Sequence, residues 1–137
     1  MRRILIGLIG LLTVTALAGC TGAPDGNSEV SSAGHYEAIT AEQGKTMMDD
    51  GEPFILVDVR TEAEYQEKRI DRSLLIPDDE IAARAETELP DKNARIIVYC
   101  RSGVRAEGAA KNLANLGYTQ VYTIGGILSW PYDTVSG

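Results

Sequence analysis

At 137 residues, with 44% hydrophobic and 24% charged residues, the chain has the length and composition of one globular domain and is not disordered as a whole. Lys and Arg number 13 against 20 Asp and Glu, and the net charge of -7 excludes a nucleic-acid-binding stripe at the scale of the whole chain. Two cysteines and one histidine are too few for a zinc cluster, a haem site or a disulfide-stapled scaffold, so no metal or haem cofactor built on these ligands is expected.

The chain begins with Arg2 and Arg3, followed by a nearly unbroken apolar run from Ile4 to Leu17. That run is long enough for the core of a signal peptide and short of the ~20 residues a spanning helix needs. Leu17-Ala18-Gly19-Cys20 follows and resembles the lipobox of bacterial lipoproteins. The resemblance implies cleavage after residue 19, a diacylglycerol thioether on Cys20, and an extracytoplasmic protein held to a bacterial membrane. Cys100 is then the one free thiol of the processed chain, with no partner for an intramolecular disulfide. Residues 20–34 continue as a Gly-, Ser-, Asn- and Pro-rich stretch that cannot bury apolar area, and they read as a flexible tether. A folded domain over residues 35–137 is expected beyond it.

Within the domain, Thr40-Ala41-Glu42-Gln43 has the pattern of a capping box that opens a helix ending near Gly51. Phe54 to Val57 is a continuous apolar run, as expected of a strand buried on both faces. A second capping box, Thr61-Glu62-Ala63-Glu64, starts a helix toward Ile70; Leu74 to Ile76 is a short strand closed by Pro77. Asp78 to Leu89 reads as a helix with acids in its first turn and Ile81, Ala82, Ala85 and Leu89 on one face. Ile96 to Tyr99 is a second buried strand, running into Cys100. From Val104 to Leu116 the alanines at 106, 109, 110 and 114, with Leu113, predict a small-residue helix face that packs closely on a sheet and stops at Gly117. Val121-Tyr122 is a last short strand, and Gly125-Gly126 opens a turn carrying Trp130, a core or pocket-wall residue. Alternating strands and helices predict an α/β fold with a mainly parallel sheet covered on both faces, whose ligands bind beyond the carboxyl ends of the strands.

Cys100 stands at such an end. Cys100-Arg101-Ser102-Gly103-Val104-Arg105 joins a buried strand to a helix, and a tight turn eased by Gly103 aims successive N–H groups inward at the helix N-terminus. The helix dipole and two guanidinium groups there favour thiolate over thiol, which predicts a nucleophile with an anionic substrate. A free cysteine at a strand end can also be a small buried hydrophobe; the flanking Arg, Ser, Gly and Arg favour the functional reading. The single histidine, His35, lies next to the tether, so a Cys–His pair is not expected.

Leu56-Val57-Asp58-Val59-Arg60, Glu64-Tyr65, Ile70 and Leu75-Ile76-Pro77 together resemble the first signature of rhodanese-like domains. Ile97 to Ala106 resembles their active-site loop, and Gly125-Gly126 with Trp130 their closing segment. The resemblance covers nearly all of residues 35–131. It implies a three-layer α/β fold with a central five-stranded, mainly parallel sheet and helices on both faces. It also implies a sulfurtransferase in which Cys100 takes a sulfane sulfur from an anionic donor such as thiosulfate and passes it to cyanide or a thiol. The amides of Arg101, Ser102, Gly103, Val104 and Arg105 would hold the outer sulfur. Arg101 and Arg105 would attract the donor or simply face solvent, and Asp58 and Arg60 would support the site structurally. A non-enzymatic sulfur-relay or protein-binding module of the envelope is the alternative. A cysteine phosphatase or arsenate reductase is a weaker one, because Arg105 follows Cys100 by five positions where phosphatase loops need six. Where the family shows Gly-His-Ile and Pro-Gly-Ala, this chain has Lys68-Arg69-Ile70 and Asp71-Arg72-Ser73. Arg69 and Arg72 therefore bear on turn shape and local charge, and either suit an acidic partner or form a solvated face. A monomer that binds no nucleic acid is expected.

Overall fold

The computed structural model describes residues 34–137. The apolar leader, the Cys20 lipidation site and the tether as far as Ala33 lie outside the described residues.

Five strands, β1 (Tyr36–Ala38), β2 (Ile55–Asp58), β3 (Ser73–Leu75), β4 (Arg95–Cys100) and β5 (Gln120–Gly126), form one sheet in the order β1-β5-β4-β2-β3. Every pairing is parallel. Helices α1 (Ala41–Asp49), α2 (Glu62–Glu67), α3 (Ile81–Glu88) and α4 (Val104–Asn115) lie between strands, and a 3-10 turn (Ile127–Ser129) follows β5. β4 sits at the centre and is buried from Ile96 to Cys100, so it needs apolar residues on both faces.

Alternation along the strands divides the core in two. Ile96, Val98 and Cys100 of β4 join Val57 and Val59 on one face, under Ile81, Ala85 and Leu89 and the Ala106, Ala109, Ala110 and Leu113 stripe of α4. Ile97 and Tyr99 point to the other face, with Leu56, Ile124, Ile127 and Met48 of α1, and Trp130 packs partly buried against them. Both capping boxes form: Thr40 with Gln43, and Thr61 with Glu64.

Several expected elements shift. The third helix starts at Ile81 rather than Asp78, because residues 78–80 form a turn and no side chain caps the helix; its first turn holds no acid. Ala82 is exposed, since Ile81, Ala85 and Leu89 alone complete the buried stripe. The second helix stops at Glu67, short of Ile70, where Lys68 turns to an extended φ of -162°. β5 runs to Gly126, well past Tyr122, and carries a bulge: Val98 faces Thr123 but Cys100 faces Gly126. β1 has no counterpart in the residue pattern. It is three residues long, mostly exposed, and exists through its pairing with β5 at the sheet edge.

Candidate active site

Cys100 is the last residue of the central strand, and the chain turns from it into α4 within three residues. The turn needs Gly103, which takes φ +115°, a conformation side chains resist. Gly126 lets the strand behind approach: a Cβ there would stand 2.1 Å from the Arg101 carbonyl oxygen. Gly125, within the β5 bulge at φ +78°, backs onto Gly103, where a Cβ would stand 3.3 Å from the Gly125 Cα. The amide of Leu128 then donates to the Arg101 carbonyl at 3.2 Å, tying the loop to the 3-10 turn.

Within this frame the Gly103 N–H donates to Cys100 Sγ at 3.0 Å. Cys100 itself has no exposed surface. Gly103 caps α4 without a side chain, and among the described residues the amides of Val104, Arg105 and Ala106 donate to no protein acceptor. First-turn helix amides of this kind attract an anion. The sulfur therefore sits below an N-terminal helix turn, with one amide already directed at it.

The loop residues differ in what they touch. Arg101 and Ser102 are exposed, and Arg101 forms no ion pair among the described residues. Arg105 is occupied: its Nη1 and Nη2 donate to the Glu64 carboxylate at 3.0 and 2.9 Å. The Arg105 guanidinium holds Glu64 at a pKa of about 2, and donation from Thr61 at the start of α2 adds to the effect. The same fork, with smaller contributions from the charges of Cys100 and Asp78, holds Arg105 more firmly protonated. Reading the residues one by one does not find Glu64, which stands 41 positions away. Its marks in the sequence are its places in the capping box and in the first family signature, and neither points to Arg105.

Under the loop, Asp58 and Arg60 make a buried ion pair. Arg60 Nε donates to Asp58 Oδ1 at 3.0 Å and Nη2 to Oδ2 at 2.7 Å. Arg60 Nη2 also donates to the Lys68 carbonyl at 2.6 Å, closing the end of α2. With Asp58 bonded in addition to the Arg60 backbone amide at 2.9 Å, neither charge is left unpaired. Tyr99 lies beside the pair and ties the 70–73 turn: its hydroxyl accepts from the Ile70 amide and donates to Ser73 Oγ, both at 3.1 Å. Burial, with Asp58 nearby, pushes the Tyr99 phenol upward, so it stays neutral.

The departures from the family signature lie in this same turn. Arg72 is, among the described residues, the non-glycine residue at positive φ, +62°, and its guanidinium covers the Phe54 ring at 4.9 Å. Arg69 stacks on Tyr65 at 4.7 Å and exchanges backbone hydrogen bonds with Val135. His35 is exposed next to β1 at the amino end of the parallel sheet, the end opposite Cys100. No group of three or more metal-binding side chains occurs among the described residues.

A parallel α/β sheet that delivers a cysteine to an anion-binding strand–helix loop defines a class of cysteine-loop proteins. Comparison with known proteins narrows it. The family model of the rhodanese-like domain matches residues 40–131, and the chain belongs to that family. It is 35% identical over 81 residues to thiosulfate sulfurtransferase PspE of Escherichia coli, covering 59% of this chain and 78% of that one. It is 37% identical over 93 residues to a sulfurtransferase of Allochromatium vinosum, covering 67% of this chain and 85% of that one. A tRNA uridine(34) hydroxylase of Erwinia tasmaniensis is 32% identical over 114 residues, but the match spans only 32% of that protein. Among solved structures, a rhodanese with anions from E. coli superposes with a TM-score of 0.59 at 33% identity, over 62% of this chain and 100% of that one. The rhodanese-like domain of the Anabaena Alr3790 protein gives 0.66 at 26% identity, over 73% and 79%.

Proposed function

We propose that this protein is a thiosulfate-type sulfurtransferase in which Cys100 carries the transferred sulfur. The observation that carries the reading is the hydrogen bond from the Gly103 amide to Cys100 Sγ, at the foot of a helix whose next three amides have no protein acceptor. In the first half-reaction the Cys100 thiolate attacks the sulfane sulfur of thiosulfate. The donor's S–S bond breaks, its electron pair leaves with sulfite, and a Cys100 persulfide remains. In the second, cyanide or a thiolate attacks the outer sulfur and the pair returns to Cys100. No external oxidant or reductant enters. The persulfide's anionic outer sulfur suits the amides of residues 104–106. Arg101, the unpaired cation of the loop, attracts the donor, while Arg105 serves as a strut held by Glu64. Because Cys100 has no exposed surface, loading requires the Arg101–Gly103 turn to part slightly.

The occupied Arg105 also weighs against phosphatase chemistry, in which an arginine must fork onto the substrate's oxygens. A binding module without catalysis has no use for a thiol in an anion-binding turn. We further propose that Cys20 is lipidated and that the domain works at the outer face of a bacterial membrane or in the periplasm; lipid labelling of wild type but not Cys20→Ala tests this. The catalytic reading is tested by thiocyanate formation from thiosulfate and cyanide. Wild type is expected to be active, and Cys100→Ser to be folded and inert. Equal inactivity of both proteins overturns the reading.

A further inference from the structure

Two large apolar side chains stand out on the surface and both adjoin the Cys100 loop. Val104, 78% exposed, directly continues the loop; Leu128, 68% exposed, is tied to it through the bond from its amide to the Arg101 carbonyl. Other exposed large apolar groups are only about half as exposed, such as Tyr132 at 37%. Beside Leu128 opens a cleft of about 330 Å³ lined by Arg60, Glu64, Glu67, Lys68, Arg101, Ile127 and Leu128. Arg60 and Glu64 are neutralised by their partners, which leaves Arg101 and Lys68 against the single Glu67. A chain of net charge -7 thus shows a local excess of positive charge where its apolar surface is uncovered.

Neither feature helps a small inorganic acceptor such as cyanide, which needs no apolar contact. Exposed apolar groups ringed by uncompensated charge are characteristic of a docking surface. We propose that this collar docks a protein acceptor whose reactive thiol lies in an apolar patch flanked by carboxylates. The proposal rests on the sulfurtransferase reading and adds the partner. On docking, the acceptor thiolate attacks the outer sulfur of the Cys100 persulfide; the Cys100 S–S bond breaks, its electron pair returns to Cys100, and the acceptor leaves as the persulfide.

The test uses protein preloaded with thiosulfate and freed of excess donor, followed through one turnover. The acceptors are two short synthetic peptides with a central cysteine, one flanked by leucine and aspartate, the other by serine and lysine. The acidic, apolar peptide is expected to take the sulfur about tenfold faster. Leu128→Ser should remove most of that preference while leaving single-turnover thiocyanate formation from cyanide within about twofold of wild type. Lys68→Ser should reduce the preference independently, through charge. A loaded protein that treats the two peptides alike overturns the docking surface, as does a Leu128→Ser variant slowed equally toward peptide and cyanide. If thiosulfate places no sulfur on wild-type Cys100, the sulfurtransferase reading falls first and this one with it.

Discussion

Single side chains decide more at this site than its motif suggests. Arg105 has the position of an anion-binding arginine but spends both ends of its fork on Glu64, whose carboxylate also accepts from the Thr61 amide and hydroxyl. Glu64 has a folded pKa of about 2 against 4.5 for the free side chain. Because the folded value is the lower one, the pair stabilises the protein fully above the free value and loses that contribution as pH falls toward 2. Glu64→Gln should therefore cost about 1 kcal/mol at neutral pH, with the gap between variant and wild type closing in acid. Urea unfolding across the acid range reads this directly, and a pH-independent gap would separate Glu64 from the effect. Arg72 presents a different case. At φ +62° an L-residue is strained, and the cation–π contact with Phe54 offsets part of that. Arg72→Ala keeps the strain and loses the contact, whereas Arg72→Gly loses both. The glycine variant is expected to be more stable than the alanine variant by about 1 kcal/mol, measured by the same unfolding experiment.

At the level of elements, the loop is shaped by glycines in two segments distant in sequence. Gly103 makes the turn, and Gly126, at the far side of the β5 bulge, allows Arg101 to sit against the strand. A methyl group at 126 meets the Arg101–Ser102 peptide backbone and cannot be relieved by a rotamer change. Gly126→Ala should displace the loop and lower sulfur transfer about 100-fold, an effect of misplacement rather than lost chemistry. Steady-state thiocyanate assays with far-UV circular dichroism distinguish this from global unfolding. The same comparison shows what the residues disclose and what they hide. Capping boxes, the β4 apolar run and the α4 alanine stripe are local patterns, and each forms where the pattern lies. β1 is hidden because three mostly exposed residues carry no periodicity; its partner strand makes it a strand. The Glu64–Arg105 fork and the Tyr99 hydroxyl under Ile70 and Ser73 are hidden because they join residues far apart in the chain. The cysteine loop could be recognised because its chemistry lies within six consecutive residues.

Over the whole molecule, the strand order β1-β5-β4-β2-β3 sends Cys100, Asp58 and the Gly125-Gly126 bulge to one end of the sheet. The Cys100 loop and the free positive charge share that end, while His35 lies at the other. The C-terminal segment reinforces it: Val135 pairs with Arg69, and the Gly137 amide donates to the Gln66 carbonyl, holding the end of α2 near the residues that brace the loop. No helix among the described residues is long and apolar enough to cross a membrane. The sulfur carrier is the claim on which the rest stands, and mass spectrometry of thiosulfate-treated protein measures it most directly. The account predicts a gain of about 32 Da on the Cys100 peptide that cyanide removes with release of thiocyanate. A Cys100 peptide of unchanged mass, or a gain that cyanide leaves in place as oxidation to sulfinic acid would, contradicts it.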